Sequence, residues 1–481
     1  MVFHDENGHR NIIMEKEKFR KIGYEFIDWV AGYMEDVEKL PVMSQAKPGQ
    51  IKSRIPHDPP LQGEEMEKIF DDFKRDIIPG ITHWQHPSWF AYFPANNSPP
   101  SILAELLTAA LGAQCMIWQT SPAAAELEEV TLEWLRKMLG LPEGMSGVIH
   151  DTASTATLCA LLTAREKATD FASNQMGLKK PLVVYASEEA HSSIEKDVKI
   201  AGFGRENLHF IPSDDAFAVI PDELEKAIIA DKKRGLIPCC FVATIGTTSS
   251  TGVDLLVPIG KICKRYGLWL HVDAAYAGTA AILPEKRWIL DGIEYVDSFV
   301  FNPHKWMFTN FDCSAYFVKD PSTLIRTFEI HPEYLKTEID SEVKNYRDWG
   351  IQLGRRFRAL KLWFVLRSYG VEGLQKMVRE HLRLAQLFKG WVEKDDRFEL
   401  MALVNFGLVC FRVNDGSDEE TLARKNRMLL DSLNATGKLY LTHTILKGKY
   451  ALRFCIGQRT TEEKHVRNAW GLISSKAKQL S

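Results

Sequence analysis

The stretch Ser298-Phe299-Val300-Phe301-Asn302-Pro303-His304-Lys305-Trp306 holds residues that could do chemistry. A short apolar strand ends at Pro303, which has no N–H to give the ladder. His304 and Lys305 then stand just past the strand end, the edge at which open α/β sheets bind ligands. Trp306 and Met307 follow, so the lysine sits against apolar surface. Desolvation lowers a lysine's pKa and leaves a neutral amine that can attack a carbonyl. That is a Schiff-base lysine. Taken alone, the same residues also read as a solvated loop lysine.

Four more loops bear on the choice. His150-Asp151-Thr152-Ala153-Ser154-Thr155 opens a helix, where free N–H groups make an anion site; simple capping by Thr152 or Ser154 needs no anion. No G-x-G-x-x-G or G-K-[ST] run accompanies it, which argues against a dinucleotide or a P-loop nucleotide. His191, in Ala190-His191-Ser192-Ser193, is a structural hydrogen-bonder or a ring lying flat on a heteroaromatic ligand. Thr248, in Gly246-Thr247-Thr248, has ordinary turn composition. Asp273 ends the apolar run Leu268-Trp269-Leu270-His271-Val272, and a carboxylate there needs a partner. The partner could be a helix N-terminus, an internal cation or a protonated pyridine nitrogen, and small Ala274 and Ala275 leave room for a ring. A phosphate cradle, a stacking imidazole, a carboxylate for a pyridinium and a Schiff-base lysine are together the demands of pyridoxal 5′-phosphate.

The elements that must position these groups are legible around them. The chain has 481 residues, more than one core usually serves. Apolar runs at 147–150, 182–186, 208–211, 239–243, 268–273, 298–302 and 315–319 alternate with helical stretches. That pattern predicts an α/β fold with a mainly parallel seven-stranded sheet flanked by helices. Helices are expected at 101–113, 122–139, 156–170 and 357–368, the last ending at Gly370. Ahead of them an arm carries helices at 15–40 and 64–77 separated by prolines. It is too small to own a core and should pack on another surface, such as a second subunit. Beyond 371 a small α+β region has strands at 398–403, 408–413 and 450–455. The expected division is 1–98 for the arm, 99–370 for the large α/β domain and 371–481 for the small domain.

A net charge of −3 gives no reason to expect nucleic acid or an anionic membrane as partner. The first 18 residues lack the apolar core of a signal peptide, and no run is apolar enough to span a bilayer. The eight cysteines are scattered, without a C-x-x-C pair, which fits buried thiols in a reducing cytoplasm. His83 and His86 lack further ligands nearby, so packing is the expected role and no metal is called for.

Leu270-His271-Val272-Asp273-Ala274-Ala275-Tyr276-Ala277-Gly278 and Asn302-Pro303-His304-Lys305-Trp306 closely resemble the aromatic-L-amino-acid decarboxylases, group II pyridoxal-phosphate enzymes of fold type I. The resemblance includes Ala91-Tyr92-Phe93-Pro94, Ser121-Pro122-Ala123, Ala190-His191-Ser192-Ser193, Phe311-Asp312-Cys313-Ser314 and Gly354-Arg355-Arg356-Phe357-Arg358. It implies that Lys305 forms the internal aldimine, Asp273 pairs with the pyridine nitrogen and His191 stacks on the ring. Thr152, Ala153, Ser154, Asn302 and His304 would hold the phosphate, with Thr248 and Ala275 beside the ring. Tyr92, Phe93, Pro94 and Ala95 would line the substrate side, with Gln114, Met116 and Trp118 reaching in from the neighbouring subunit of a homodimer.

Tyr334, in His331-Pro332-Glu333-Tyr334, resembles the family's Cα proton donor. Relatives with phenylalanine there tend to be aldehyde synthases. Tyr334 together with His191 favours decarboxylation to the amine, with aldehyde synthesis or a catalytically silent paralogue as alternatives. Ala95, Gln114 and Met116 depart from the animal dopa decarboxylases, which leaves tryptophan, tyrosine, dopa and phenylalanine open as substrates.

Overall fold

The computed structural model describes residues 14–330 and 342–479. Strands β1 (Ser146–His150), β2 (Leu182–Ser187), β3 (Leu208–Ile211), β4 (Ile237–Thr244), β5 (Trp269–Asp273), β6 (Ser298–Phe301) and β7 (Ser314–Val318) form one sheet, in the order β1-β7-β6-β5-β4-β2-β3. From β6 to β3 every pairing is parallel. β7 runs antiparallel to both β1 and β6, so β1 points the same way as the parallel set. The carboxyl ends of β1 through β6 therefore share one edge, and each loop singled out above follows one of those ends.

The strands read as continuous apolar runs because both faces are covered. In β2, Val183 and Tyr185 enter one core cluster while Leu182, Val184 and Ala186 enter the other. Phe299 and Phe301 of β6 likewise oppose Val300. Alternation of side chains thus feeds two apolar layers from one strand.

Some elements differ from expectation for local reasons. The helix expected from 156 begins three residues earlier, as Ala153–Ala168, because Thr152 caps it and its Oγ1 accepts from the Thr155 N–H. The helix read as ending at Gly370 does end there, at φ 63°, and a second helix resumes at once and runs to Glu393. A positive φ suits glycine, and the apolar period simply resumes beyond it. The strand expected at 398–403 is only β8 (Phe398–Leu400); β9 (Leu408–Val413) and β11 (Lys449–Cys455) are as read, and β10 (Thr442–Leu446) went unread because it alternates on a half-exposed edge. These make a second antiparallel sheet, β10-β11-β9-β8.

The arm helices meet through aromatics, with Phe26 and Phe70 ring centroids 4.3 Å apart and Trp29 and Phe73 at 5.3 Å. Residues 89–92 then run beside the small sheet: the Phe90 N–H donates to Tyr440 O, and the Cys455 N–H to Phe90 O. His83 and His86 are structural, the first bonded to the Tyr33 hydroxyl at 2.8 Å, the second to Glu38 O at 3.3 Å. All eight cysteines are free and buried. No helix among the described residues is long and apolar enough to cross a membrane.

One buried ion pair ties the β1 edge to the loop before the long helix. Arg355 donates to Glu128 at 2.6 Å and to Ile149 O at 3.0 Å, while the Ile149 N–H donates to Glu128 at 2.8 Å. Replacing Arg355 with methionine leaves Glu128 as an uncompensated buried charge. Urea unfolding should show a loss of about 3–5 kcal/mol, and Glu128→Gln combined with it should recover part of that loss.

Candidate active site

Pro303 begins a single helical turn, Pro303–Trp306, at the end of β6, which suits its fixed φ. Lys305 is thereby set into the protein with its Nζ 5.4 Å from the Phe93 ring centroid. Burial lowers its pKa, opposed by the charges of Asp273 and Cys455. Asp273 ends β5 and is 6% exposed. The Ala275 N–H donates to its Oδ1 at 2.9 Å, and the Asn302 N–H donates to Ala275 O at 3.0 Å. The β5 and β6 ends are thus laced together, and one oxygen of Asp273 is committed to holding the carboxylate still.

His191 is open to solvent yet crowded by protein, and that burial lowers its pKa; Asp273 opposes the shift and Lys305 adds to it. The three groups therefore share one electrostatic neighbourhood. Its Nδ1 accepts the Ser193 N–H at 3.1 Å and lies 2.8 Å from Ser193 Oγ, so the ring is fixed in plane and Nε2 carries the proton. His304 is held the same way: its Nδ1 accepts the Cys313 N–H at 2.9 Å, and burial pushes its pKa down to about 3. Asn302 Oδ1 accepts from Ser314 Oγ at 2.7 Å. Ala153 and Ser154 are the first two residues of their helix, where N–H groups have no intrahelical acceptor.

The substrate-side residues split. Phe93 stacks on Tyr276 at 4.0 Å, and Tyr276 stacks on Trp306 at 4.7 Å. Pro94 packs against Gly457, where a Cβ would come within 2.7 Å of the proline ring, and Ala95 O accepts from Gln85 at 2.6 Å. Tyr92 turns away, with φ 51° and half its surface exposed, onto Trp84 and Tyr440. Gln114 Oε1 accepts the Arg355 N–H, the Trp118 indole donates to Glu126, and Met116 O accepts the Arg347 N–H. The Gln114 and Met116 contacts, with the Trp118 N–H donating to Asn345 Oδ1 at 2.9 Å, tie 114–118 to 345–355 of the same chain; the Lys305 group takes no part in them. Thr248 is exposed. Tyr334 lies outside the described residues.

A cofactor with an aldehyde, a basic ring nitrogen and a phosphate fits what is present. Lys305 offers a desolvated amine, Asp273 a single rigid carboxylate with room made by Ala274 and Ala275, and the helix start at Ala153 a set of open donors. Residues 48–414 match the family model described as the pyridoxal-dependent decarboxylase conserved domain. The chain belongs to the pyridoxal-dependent decarboxylase family. It is 45% identical to tryptophan decarboxylase 2 of Oryza sativa subsp. japonica, over 97% of this chain and 96% of that one. It is 44% identical to phenylacetaldehyde synthase of Arabidopsis thaliana, over 99% of both. The solved structure of Catharanthus roseus tryptophan decarboxylase in complex with L-tryptophan superposes with a TM-score of 0.92 at 40% identity, covering 98% of this chain and 100% of that one. This is therefore the α/β fold of the pyridoxal-phosphate decarboxylases, and its cofactor is pyridoxal 5′-phosphate.

Two residues hold the site through contacts that the sequence does not assign to them. Asn96 is 1% exposed. Its Nδ2 donates to Lys305 O at 2.8 Å and to Gly457 O at 2.7 Å, and its Oδ1 accepts the Arg459 N–H at 2.9 Å. It joins the lysine turn to the small sheet's exit. Arg453, on β11, donates to Thr248 O at 2.8 Å and Thr442 Oγ1 at 3.0 Å, with its guanidinium 5.4 Å from the Phe93 centroid. A charge inside the apolar run Tyr450-Ala451-Leu452-Arg453-Phe454 was the available signal. Replacing Asn96 with aspartate sets a carboxylate against two carbonyls. Each carbonyl left without its donor should cost about 1–3 kcal/mol. Titration with pyridoxal 5′-phosphate, followed by absorbance, should show weaker retention by the variant.

Proposed function

We propose that the chain decarboxylates an aromatic L-amino acid, releasing the arylalkylamine and carbon dioxide. The observation that carries this reading is the desolvated Lys305 amine beside the buried Asp273 carboxylate at the shared strand edge. The family match and relatives acting on aromatic amino acids support it. Bound pyridoxal 5′-phosphate would supply an electron sink for the pair left when carbon dioxide departs.

The chain's own groups do the rest. Lys305 would hold the cofactor at its aldehyde end, where its desolvated amine also meets the incoming substrate. Asp273, held by the Ala275 N–H, would pair with the ring nitrogen and favour its protonated form. His191, fixed by Ser193, would hold the ring by stacking. Ala153 and Ser154 N–H groups, with Thr152, Asn302 and His304 Nε2, hold the phosphate. Thr248, on the loop Arg453 grips, borders the ring. Phe93 and Pro94 wall the substrate side, with Tyr92 and Ala95 continuing that segment outward. Tyr334 delivers the proton to Cα after carbon dioxide leaves.

The enzyme works as a homodimer with an exchanged arm. Leu103, Leu106, Leu107 and Leu111 are exposed along the helix Pro99–Leu111, as are Phe19 and Tyr24 on the helix Lys16–Asp36, an apolar display that a second subunit would cover. Gln114, Met116 and Trp118 then complete the partner's substrate pocket. The 1–98, 99–370 and 371–481 division follows the same reading, with a cytoplasmic setting to match the free thiols.

The test supplies tryptophan, tyrosine, dopa and phenylalanine in air to the cofactor-loaded protein and quantifies carbon dioxide, amine and hydrogen peroxide together. Amine should equal carbon dioxide with little peroxide, and Lys305→Ala should abolish release. Tyr334→Phe should shift product toward aldehyde and peroxide. Peroxide matching carbon dioxide in the unaltered enzyme would overturn the amine product in favour of an aldehyde synthase.

A further inference from the structure

A groove of about 550 Å³ lies beside the helix Pro122–Leu139, between it, the start of β1 and Tyr346. It reaches Ser146 and Gly147, at the amino end of β1. The loops placed at the cofactor follow the carboxyl ends of the strands, so this groove serves no step described above.

Its floor is apolar, with Leu132, Met145 and Phe317 all buried. Gly147 adds no side chain there; a Cβ would meet Phe317 at 3.0 Å and Leu132 at 3.1 Å. The rim is acidic. Glu129 pairs with Lys344 at 2.9 Å, and Glu133 pairs with Arg136 at 2.7 Å and Lys137 at 3.3 Å. Glu126 accepts only the Trp118 indole N–H, at 2.9 Å. Glu126 and Glu143 line the groove and make no ion pair among the described residues.

Two further features point to a ligand. Tyr346 lines the groove and is 2% exposed, yet its hydroxyl has no hydrogen-bond partner. A buried polar group left so needs an explanation. The ring cannot swing away, being held 4.8 Å from the Arg355 guanidinium and 5.5 Å from Trp349. The second feature is the strand edge. β1 pairs with β7 alone. The Ile149 N–H and C=O face away from β7, to Glu128 and Arg355. Gly147, two residues back, faces the same way, so its N–H and C=O point out of the sheet on the groove side.

We infer that this groove binds an arylalkylammonium ion. The apolar floor takes the ring. The carboxylates of Glu126 and Glu143 take the ammonium. The Tyr346 hydroxyl and the Gly147 backbone meet a polar group on the ring, such as a hydroxyl or an indole N–H. The acidic rim repels an anion of the same shape. Such an ammonium is the product class of the proposed reaction, so the groove would hold product away from the cofactor. That link rests on the proposed function; the ligand class rests on the groove alone.

The test uses N,N-dimethyltyramine, whose tertiary nitrogen cannot form an imine with the cofactor. Equilibrium dialysis against the holoenzyme should show one equivalent bound per chain, with the cofactor's absorbance unchanged. Tyr346→Phe removes only the unpartnered hydroxyl and should weaken binding about threefold to tenfold. Glu143→Lys, at an exposed position, should weaken it at least about tenfold. Both variants should keep the parent's melting temperature and its rate of carbon dioxide release. The anion of like shape, hydroxyphenylpropionate, should not bind. A parent that binds no amine, variants that bind as well as the parent, or equal uptake of the anion would overturn the inference. So would binding that shifts the absorbance and ignores both substitutions, since the amine would then sit at the cofactor. Groove binding without carbon dioxide release would instead defeat the proposed function alone, so the two failures are distinguishable.

Discussion

Taking the Lys305 amine out of water is the constraint from which the site's other features follow. A buried ammonium is costly unless paired. Among the described residues no carboxylate is in salt-bridge contact with it, and Asp273 and Cys455 act only as nearby charges. Burial shifts the balance toward the neutral amine, which is the nucleophilic form. Keeping it so requires apolar walls, and the stack from Phe93 through Tyr276 to Trp306 supplies them. The backbone beneath must still be satisfied. Asn96 does that work for Lys305 O, and its other bonds fix where the turn can sit.

This requirement joins the two sheets. Trp306 donates its indole N–H to His381 Nδ1 at 2.9 Å, and His381 is bonded through Nε2 to Gln458 O at 3.0 Å. Gly457 approaches Pro94 so closely that a side chain there would collide. Arg453 grips the Thr248 loop. The seven-stranded sheet supplies the lysine, the carboxylate and two of the walls, Tyr276 and Trp306, but the Phe93 wall and the Asn96 lock are set by residues bonded to the four-stranded sheet. Loosening either sheet therefore loosens the amine's environment before it touches the chemistry.

What could be read in the sequence follows the range of the interactions involved. The strands ending at Asp273 and at Phe301 were legible because each is an apolar run closed by a local signal, the Asp273 carboxylate in one case and Pro303 in the other. The helix start at Thr152 was legible as a cap, though not its first residue. Gly370 read as a terminus because a left-handed glycine usually ends a helix; only the fold shows a second helix resuming at once. The role of Asn96 was hidden, since its three partners are more than 200 positions away. Arg453 was hidden for the same reason. Tyr92 shared a motif with Phe93 and was taken to share its direction, but its left-handed backbone sends the two rings to different surfaces.

The proton inventory gives the site its direction. His271 is buried between Thr157 and Ser298, and burial pushes its pKa down to about 4. His304 lies lower still, and His191 is shifted the same way. In His191 and His304 Nδ1 already accepts a backbone N–H. All three imidazoles are thus neutral near pH 7 and serve to hold, stack or bridge. A neutral imidazole is a poor acid, and the Lys305 amine is held away from its charged form as well. A carbanion at Cα must take its proton from a group outside this set, one able to approach once carbon dioxide has left.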